Sequence, residues 1–111
     1  MAERRSEIRM LCADMVDVVW TDLEGVSRRG TALLEDISSS GACLQFEFRV
    51  PVGCTIRFVC KGEELEATVR YCVYREIGYF VGVVFAPGGR WSAQRFKPNH
   101  MLDPTRVHRR K

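Results

Sequence analysis

Apolar and polar residues alternate in short runs along most of this chain. In the first run, Val16, Val18 and Trp20 fall on one face. Asp17 and Thr21 fall on the opposite face of the same run. Successive side chains of an extended strand point to opposite sides, so this alternation is typical of a strand with one buried face. The run therefore predicts a first strand.

The next part of the chain predicts a turn and two further strands. Residues 22–25 are predicted to form a turn, and a second strand is predicted over about residues 31–35. The third strand follows Gly41 and ends before Pro51 and Gly53, which interrupt the alternation. Its predicted inward-facing residues are Ala42, Leu44, Phe46 and Phe48. Its predicted outward-facing residues are Gln45, Glu47 and Arg49.

Three more strands are predicted before residue 87. The fourth is marked by Ile56, Phe58 and Cys60, and residues 61–62 form a predicted turn into the fifth. The predicted inward-facing residues of the fifth strand are Leu65, Ala67, Val69, Tyr71 and Val73. Glu66, Thr68 and Arg70 are predicted to face outward. The sixth strand, residues 79–86, is apolar at nearly every position, which predicts cover on both faces.

Six short strands joined by tight turns predict an all-β fold, either an antiparallel sandwich or a barrel. A closed barrel has no exposed sheet edges, which favours it. Residues 1–13 are then an N-terminal arm, residues 14–86 the barrel, and residues 87–111 a tail that forms a short helix or stays irregular. The tail residues predicted to dock on the barrel are Trp91, Phe96, Met101 and Leu102.

Composition narrows the class of protein. The chain has 111 residues, of which 46% are hydrophobic and 28% charged, which is typical of one soluble domain. The sequence holds no apolar run of the roughly 20 residues that span a bilayer, and its first ten residues are charged rather than signal-like, so we expect a cytoplasmic protein without membrane insertion. The five cysteines form no CxxC pair, and we expect free thiols in or beside strands.

Two short motifs carry candidate chemistry. The first is Arg5-Ser6-Glu7-Ile8-Arg9, preceded by Arg4. The second runs from Asp36 through Ser38 to Gly41. A guanidinium is permanently charged and can bind phosphate, the acceptor edge of guanine or the face of a base. Either motif alone is typical of a solvated charge cluster or of turn chemistry.

The second motif complements the first. Asp36 and Ser38 are two residues apart, so at a strand end both side chains are predicted on one face. A carboxylate accepts hydrogen bonds only, which suits the N1 and N2 donors of guanine, and Ser38 adds a group that both donates and accepts. Gly41 permits either a positive φ or a close approach of two backbones. Residue chemistry therefore predicts a site compatible with an anion or with guanine.

The chain resembles the PilZ domain family, whose signature is RxxxR followed by [D/N]xSxxG. Arg5 and Arg9 match the first part, while Asp36, Ser38 and Gly41 match the second, and the resemblance covers about residues 4–86. It implies a six-stranded antiparallel barrel that clamps cyclic di-GMP between the arm and the barrel wall. Arg5 and Arg9 would contact phosphate and guanine, and Asp36 and Ser38 would contact guanine. Arg4 occupies the position that influences ligand number in the family, which favours two ligands per domain.

The expected function is a cyclic di-GMP sensor or adaptor that signals to a partner protein, as a monomer or weak homodimer. The main alternative is a PilZ-like adaptor that binds no nucleotide. A small nucleic-acid-binding barrel is less favoured, because the net charge is only +3. The two histidines, His100 and His108, lie in the tail without a zinc-like or triad-like pattern, so we expect no enzyme activity, no metal and no cofactor.

Overall fold

The computed structural model describes residues 8–92, 95, 97–98 and 101–103. It shows an all-β fold in which six antiparallel strands close into a barrel in the order β1-β2-β3-β6-β5-β4. The strands are β1 (Met10–Thr21), β2 (Ser27–Ile37), β3 (Gly41–Phe46), β4 (Thr55–Cys60), β5 (Glu63–Arg75) and β6 (Gly78–Phe85). The predicted fold class is confirmed. β1 begins at Met10, within the segment expected to be the arm.

The core follows from the period-two pattern. Every strand sends alternate apolar residues into the barrel, where they pack into one cluster. Those with no measurable exposure are Leu34, Ile37, Leu44, Val50, Ile56, Phe58 and Val81. Each such side chain contributes about 1.5–3 kcal/mol through burial, so the barrel interior dominates the stability of the fold.

Two tight turns form where their sequences predict them. Asp22 Oδ1 accepts hydrogen bonds from the backbone N–H groups of Glu24 and Val26, each at 2.9 Å, and Gly25 adopts a φ of 82°. Lys61 and Gly62 have φ values of 56° and 81° and join β4 to β5. Two consecutive positive φ values are typical of the hairpin turn that matches strand twist.

Strand pairing shifts register at three places, and these shifts correct the predicted facing of two residues. Val69 pairs with Val83, but Tyr71 pairs with Gly82, so Arg70 is an extra residue in β5. Because an extra residue reverses the alternation, Tyr71 and Val73 are 44% and 40% exposed rather than inward-facing.

Two further expectations about facing are also wrong in part. Phe48 is 41% exposed because β3 ends at Phe46 and the chain no longer alternates. In β6, Gly82 is covered, but Val84 is 38% exposed, so the strand is not buried on both faces throughout.

The described part of the tail packs against the barrel without forming a helix. Trp91 is buried in the core cluster, and Met101 packs against it. Leu102 exchanges backbone hydrogen bonds of 2.7 and 2.8 Å with Leu11 of β1. Residues 93–94 and Phe96, half of the segment 91–96 for which a helix was one expectation, lie outside the described residues. Among the residues described, no helix could cross a membrane.

Candidate ligand-binding surface

The two sequence motifs meet on the outside of the barrel. Nη1 of Arg9 donates a hydrogen bond of 2.6 Å to Oδ1 of Asp36, although 27 residues separate the two in the chain. The Arg9 side chain is 56% exposed and that of Asp36 is 19% exposed. Arg9 precedes the first residue of β1, and Asp36 lies near the end of β2, so pairing of these strands brings the two side chains together. Arg4 and Arg5 lie outside the described residues.

Asp36 belongs to a row of directly paired residues that crosses five strands. We call this the outer row: Leu11, Asp36, Cys43, Gly82 and Tyr71, in the order β1-β2-β3-β6-β5. Neighbours in such a row lie close enough for their side chains to touch. The row therefore connects the Arg9–Asp36 pair to β5 on the far side of the same wall.

Irregular pairing turns two residues of this row, Asp36 and Tyr71, toward the outside of the barrel. Leu34 pairs with Leu44, whereas Asp36 pairs with Cys43, so Glu35 is an extra residue in β2. This extra residue places Asp36 on the outer face between the buried Leu34 and Ile37. The extra residue Arg70 does the same for Tyr71 in β5. β-Bulges commonly re-aim side chains next to functional sites.

The ring of Tyr71 lies across Gly82 and reaches the thiol of Cys43. A Cβ atom added at Gly82 would stand 2.1 Å from the Tyr71 ring, so glycine is what allows the ring to lie flat on β6. The Tyr71 hydroxyl is 4.0 Å from Sγ of Cys43, which is only 7% exposed. The outer row thus exposes part of the Tyr71 ring, and the buried thiol of Cys43 lies next to the hydroxyl group of that ring.

The turn that follows Asp36 is held by its own backbone. The N–H of Ser38 donates a 2.8 Å hydrogen bond to the carbonyl of Gly41, and Ser38 Oγ lies 3.4 Å from that carbonyl oxygen. Ser38 is buried, so in this structure its hydroxyl serves the turn and does not share the exposed surface with Asp36.

Gly41 is required by close packing. A Cβ atom at this position would stand 2.4 Å from the carbonyl oxygen of Val83. The φ of Gly41 is not among the positive values of the chain. Of the two roles considered for Gly41, the structure shows the close approach of two backbones, between β3 and β6.

The electrostatics of the surface depend mainly on desolvation. Partial burial raises the pKa of Asp36 above its ordinary value of 3.8, while the charge of Arg9 and its hydrogen bond lower it. Burial also raises the pKa of the Cys43 thiol, and the nearby Asp36 charge raises it further. The Tyr71 hydroxyl has a raised pKa from burial and from Cys43. Cys43 and Tyr71 therefore stay neutral at physiological pH, and Arg9 is the cation beside Asp36.

A groove of about 480 Å³ opens beside these side chains. Its lining includes Arg9 at one end, Gly82 in the floor, and Arg70 and Tyr71 along β5. This volume lies within the roughly 300–1,000 Å³ of small-molecule sites. Sequence reasoning missed Arg70 and Tyr71 as site residues. The available signal was Gly82, since an isolated glycine in an apolar strand often marks a close approach by another group.

The tail contacts the second motif and pairs with the chain close to the first. The backbone N–H of Trp91 donates a 3.1 Å hydrogen bond to the carbonyl of Ser39, inside the second motif. Nη2 of Arg90 donates a 3.0 Å hydrogen bond to Ser39 Oγ. The bridge between Leu11 and Leu102 lies two residues from Arg9. The described part of the tail thus contacts the chain near both groups that form the Arg9–Asp36 pair.

Searches against protein-family models and against curated protein sequences gave no match to this chain. Within the part of the chain that the structure describes, no cluster of three or more histidine, cysteine or acidic side chains is arranged to hold a metal ion. The candidate surface therefore depends on its own geometry: two arginines and an aromatic ring line one open groove, and the partly buried carboxylate of Asp36 contacts one of these arginines, Arg9.

Proposed function

We propose that this protein is a cyclic di-GMP-binding sensor or adaptor of the PilZ type. The observation that carries the proposal is the 2.6 Å contact between Arg9 and Asp36, which joins the two signature motifs at the edge of an open groove. Strand pairing brings these two positions together, and the proposal is supported by the residues that occupy them, an exposed arginine and a partly buried carboxylate.

Asp36 and three side chains that line the groove each match one part of a guanine dinucleotide. The Asp36 carboxylate accepts from the N1 and N2 donors of guanine, which adenine lacks as a pair. Arg9 and Arg70 can each bind a phosphate or the O6 and N7 edge of guanine. The Tyr71 ring offers a face on which a base can stack, and such stacking contributes about 1–3 kcal/mol per base.

Binding would exchange one partner of Asp36 for another. In this structure Asp36 is paired with Arg9, and an ion pair with so exposed an arginine contributes only about 0–1 kcal/mol. The guanine edge can therefore replace Arg9 at the carboxylate at small cost. The released guanidinium is then free to engage phosphate. Arg4 and Arg5 would add two further cations from the same segment, and Arg4 favours a second stacked ligand.

The signal would be a change of surface that a partner protein reads. Ligand binding would draw the segment carrying Arg4 and Arg5 against the groove and create a new face. Ser39 of the second motif contacts Arg90 and Trp91, so a change of this motif on ligand binding would also reach the tail. The size of the response is bounded by the difference in ligand affinity between the two states of the protein.

Calorimetric titration with cyclic di-GMP, and with cyclic di-AMP as the matched ligand, tests the proposal. We expect saturable binding of cyclic di-GMP at micromolar protein, weaker binding of cyclic di-AMP, and a stoichiometry that reports one or two ligands. Asp36→Asn offers a donor where guanine also donates, so it should reduce the preference for guanine.

A folded protein that gives no heat with cyclic di-GMP would overturn the sensor proposal and leave the adaptor that binds no nucleotide. Equal affinity for the two dinucleotides in the wild-type protein would contradict the role given to Asp36, even if binding itself were retained. Circular dichroism on each variant shows whether the barrel is intact.

A further inference from the structure

A second concave site lies at the end of the barrel where β1 finishes and β2 begins. This mouth cavity has a volume of about 470 Å³. Trp20 and Leu11 lie at the two ends of β1, nine residues and roughly 30 Å of strand apart, so the mouth cavity is distant from the outer row. Nothing in the candidate site already described uses these residues.

The floor of the mouth cavity is aromatic. The rings of Trp20 and Phe48 stack with centroids 5.3 Å apart and an interplanar angle of 30°. Phe46 contacts both rings edge-on, at 5.6 and 5.9 Å, and fixes their position. Trp20 is buried, but Phe48, which also lines the cavity, keeps 41% of its surface exposed. A planar ring that stacked on Phe48 would cover apolar surface that the fold itself leaves open.

The walls are cationic. Arg28 and Arg29 reach the cavity from β2, and Arg49 reaches it from the segment after β3. Asp22 is the acid in the lining. Its carboxylate is occupied, because Nε of Arg28 donates to it at 3.0 Å and the turn backbone donates twice more. Arg29 and Arg49 thus carry charge that the lining does not neutralise.

We propose that the mouth cavity is a binding site for a phosphate attached to a planar heteroaromatic ring, the chemistry of a mononucleotide. Guanidinium groups bind phosphate with two parallel hydrogen bonds and the exposed ring of Phe48 stacks on the base. Barrel mouths are common places for such ligands, and the cavity volume is within the usual range. The guanidinium of Arg49, 5.9 Å from the centroid of Tyr79, is held at the rim by that contact.

Calorimetry with AMP, adenosine and inorganic phosphate separates the contribution of the base to binding from the contribution of the phosphate charge. AMP is chosen because adenine lacks the N1 and N2 donors that would direct it to Asp36. We expect AMP to bind with a Kd below about 0.1 mM, and adenosine and phosphate each to bind at least about tenfold more weakly. Stacking on Phe48 should also change the fluorescence of the adjoining Trp20.

Three variants and two controls decide the outcome. Arg29→Ala and Arg49→Ala should each weaken AMP binding about tenfold, and Phe48→Ala should weaken AMP but not phosphate. Arg57→Ala removes an exposed arginine that lies outside the cavity lining, two strands from Arg29 in the row through Val19, and should change nothing. Arg9→Ala should leave AMP binding intact, which keeps this result separate from the cyclic di-GMP proposal.

Unchanged AMP affinity in the double variant Arg29→Ala/Arg49→Ala would overturn the proposal. The absence of AMP binding at about 1 mM by the wild-type protein would also overturn it. Equal affinity for AMP and phosphate would refute recognition of the ring.

Discussion

Two parts of the barrel wall are built from the same kind of strand but differ in regularity. In the regular wall, β1 pairs with β4 and β4 with β5 without any shift of register. In the motif wall, the β1–β2, β2–β3 and β5–β6 pairings each contain one shift. The regular wall presents ordinary surface charge, such as the 3.3 Å ion pair between Arg57 and Glu64. The motif wall presents the outer row.

The difference shows where this fold places its candidate chemistry. Regular alternation sends each apolar residue inward and each polar residue to solvent. The extra residues Glu35 and Arg70 interrupt this alternation and aim Asp36 and Tyr71 at the same outer surface. Pairing resumes one residue later beyond each bulge, so the strands stay joined on both sides of it.

The largest expected effect is on stability, at the closest approach between two strands of the motif wall. Gly41→Ala would place a Cβ 2.4 Å from the Val83 carbonyl oxygen, so β3 and β6 must separate. We expect the free energy of unfolding to fall by about 2–4 kcal/mol, measured by urea denaturation. Gly30→Ala is the matched control, because its Cβ would meet side-chain rings rather than backbone, Phe48 at 3.2 Å and Trp20 at 4.0 Å. Similar losses in both variants would refute the special constraint at Gly41.

The next effect concerns two arginines of similar exposure. Arg9→Ala should weaken cyclic di-GMP binding about 100-fold, since it removes a charged partner of the ligand. Arg57→Ala removes the corresponding ion pair from the regular wall and should leave binding unchanged. The Arg9 side chain is 56% exposed and that of Arg57 is 53% exposed. Each variant should therefore lose no more than about 1 kcal/mol of stability.

Titration calorimetry and thermal melts measure the two quantities for Arg9→Ala and Arg57→Ala. Equal binding losses in both variants would show that general charge, and not the motif wall, attracts the ligand. Arg5→Ala is expected to behave like Arg9→Ala.

A smaller effect is expected on β5. Tyr71→Ala removes the ring that lies across Gly82 and should weaken cyclic di-GMP binding about tenfold. Tyr71→Phe keeps the ring and loses only a long contact to Cys43, so its affinity should stay within about twofold of wild type. If Phe and Ala were equally damaging, the hydroxyl rather than the ring would be the group that matters.

The smallest effect is a dependence on pH. The pKa of Asp36 is raised by desolvation, so the folded protein protonates this carboxyl at a higher pH than the unfolded chain does. Ionised Asp36 therefore lowers stability at neutral pH, and this cost disappears as pH falls through the raised pKa. The affinity for the ligand changes in the opposite direction: it falls as the pH falls, because guanine requires the ionised carboxylate.

We expect affinity for cyclic di-GMP to fall several-fold as the pH is lowered from neutral through the raised pKa of Asp36, because protonation of this carboxyl competes with the ligand. Asp36→Asn, which cannot titrate, should show a flat profile in the same calorimetric series. A wild-type profile as flat as that of the variant would remove Asp36 from guanine recognition.

The sequence predicted the barrel because alternation is a local signal that each strand carries for itself. It did not predict that Tyr71 faces outward, because the sequence pattern from Leu65 to Val73 does not indicate the extra residue at Arg70. That bulge is set by pairing with β6, which is a tertiary property. The same holds for Phe48, which continues an alternating run past the end of β3.

The motifs identified Arg9, Asp36 and Gly41 as candidates, and the structure brings these parts of the chain to one wall. Arg70 and Tyr71 belong to the groove only because β5 and β6 pair in a shifted register. Ser38 was expected at the surface from its spacing to Asp36, but the turn buries it. Spacing along a strand predicts facing only while the strand continues, and β2 ends at Ile37.

The most direct test follows backbone amide signals by NMR during addition of cyclic di-GMP. We expect the largest shifts in the motif wall, at Asp36, Cys43, Tyr71 and Gly82. Signals of β4 in the regular wall should move little. Shifts concentrated on β4, or no shifts with a folded spectrum, would contradict the claim that the outer row forms the ligand-binding surface.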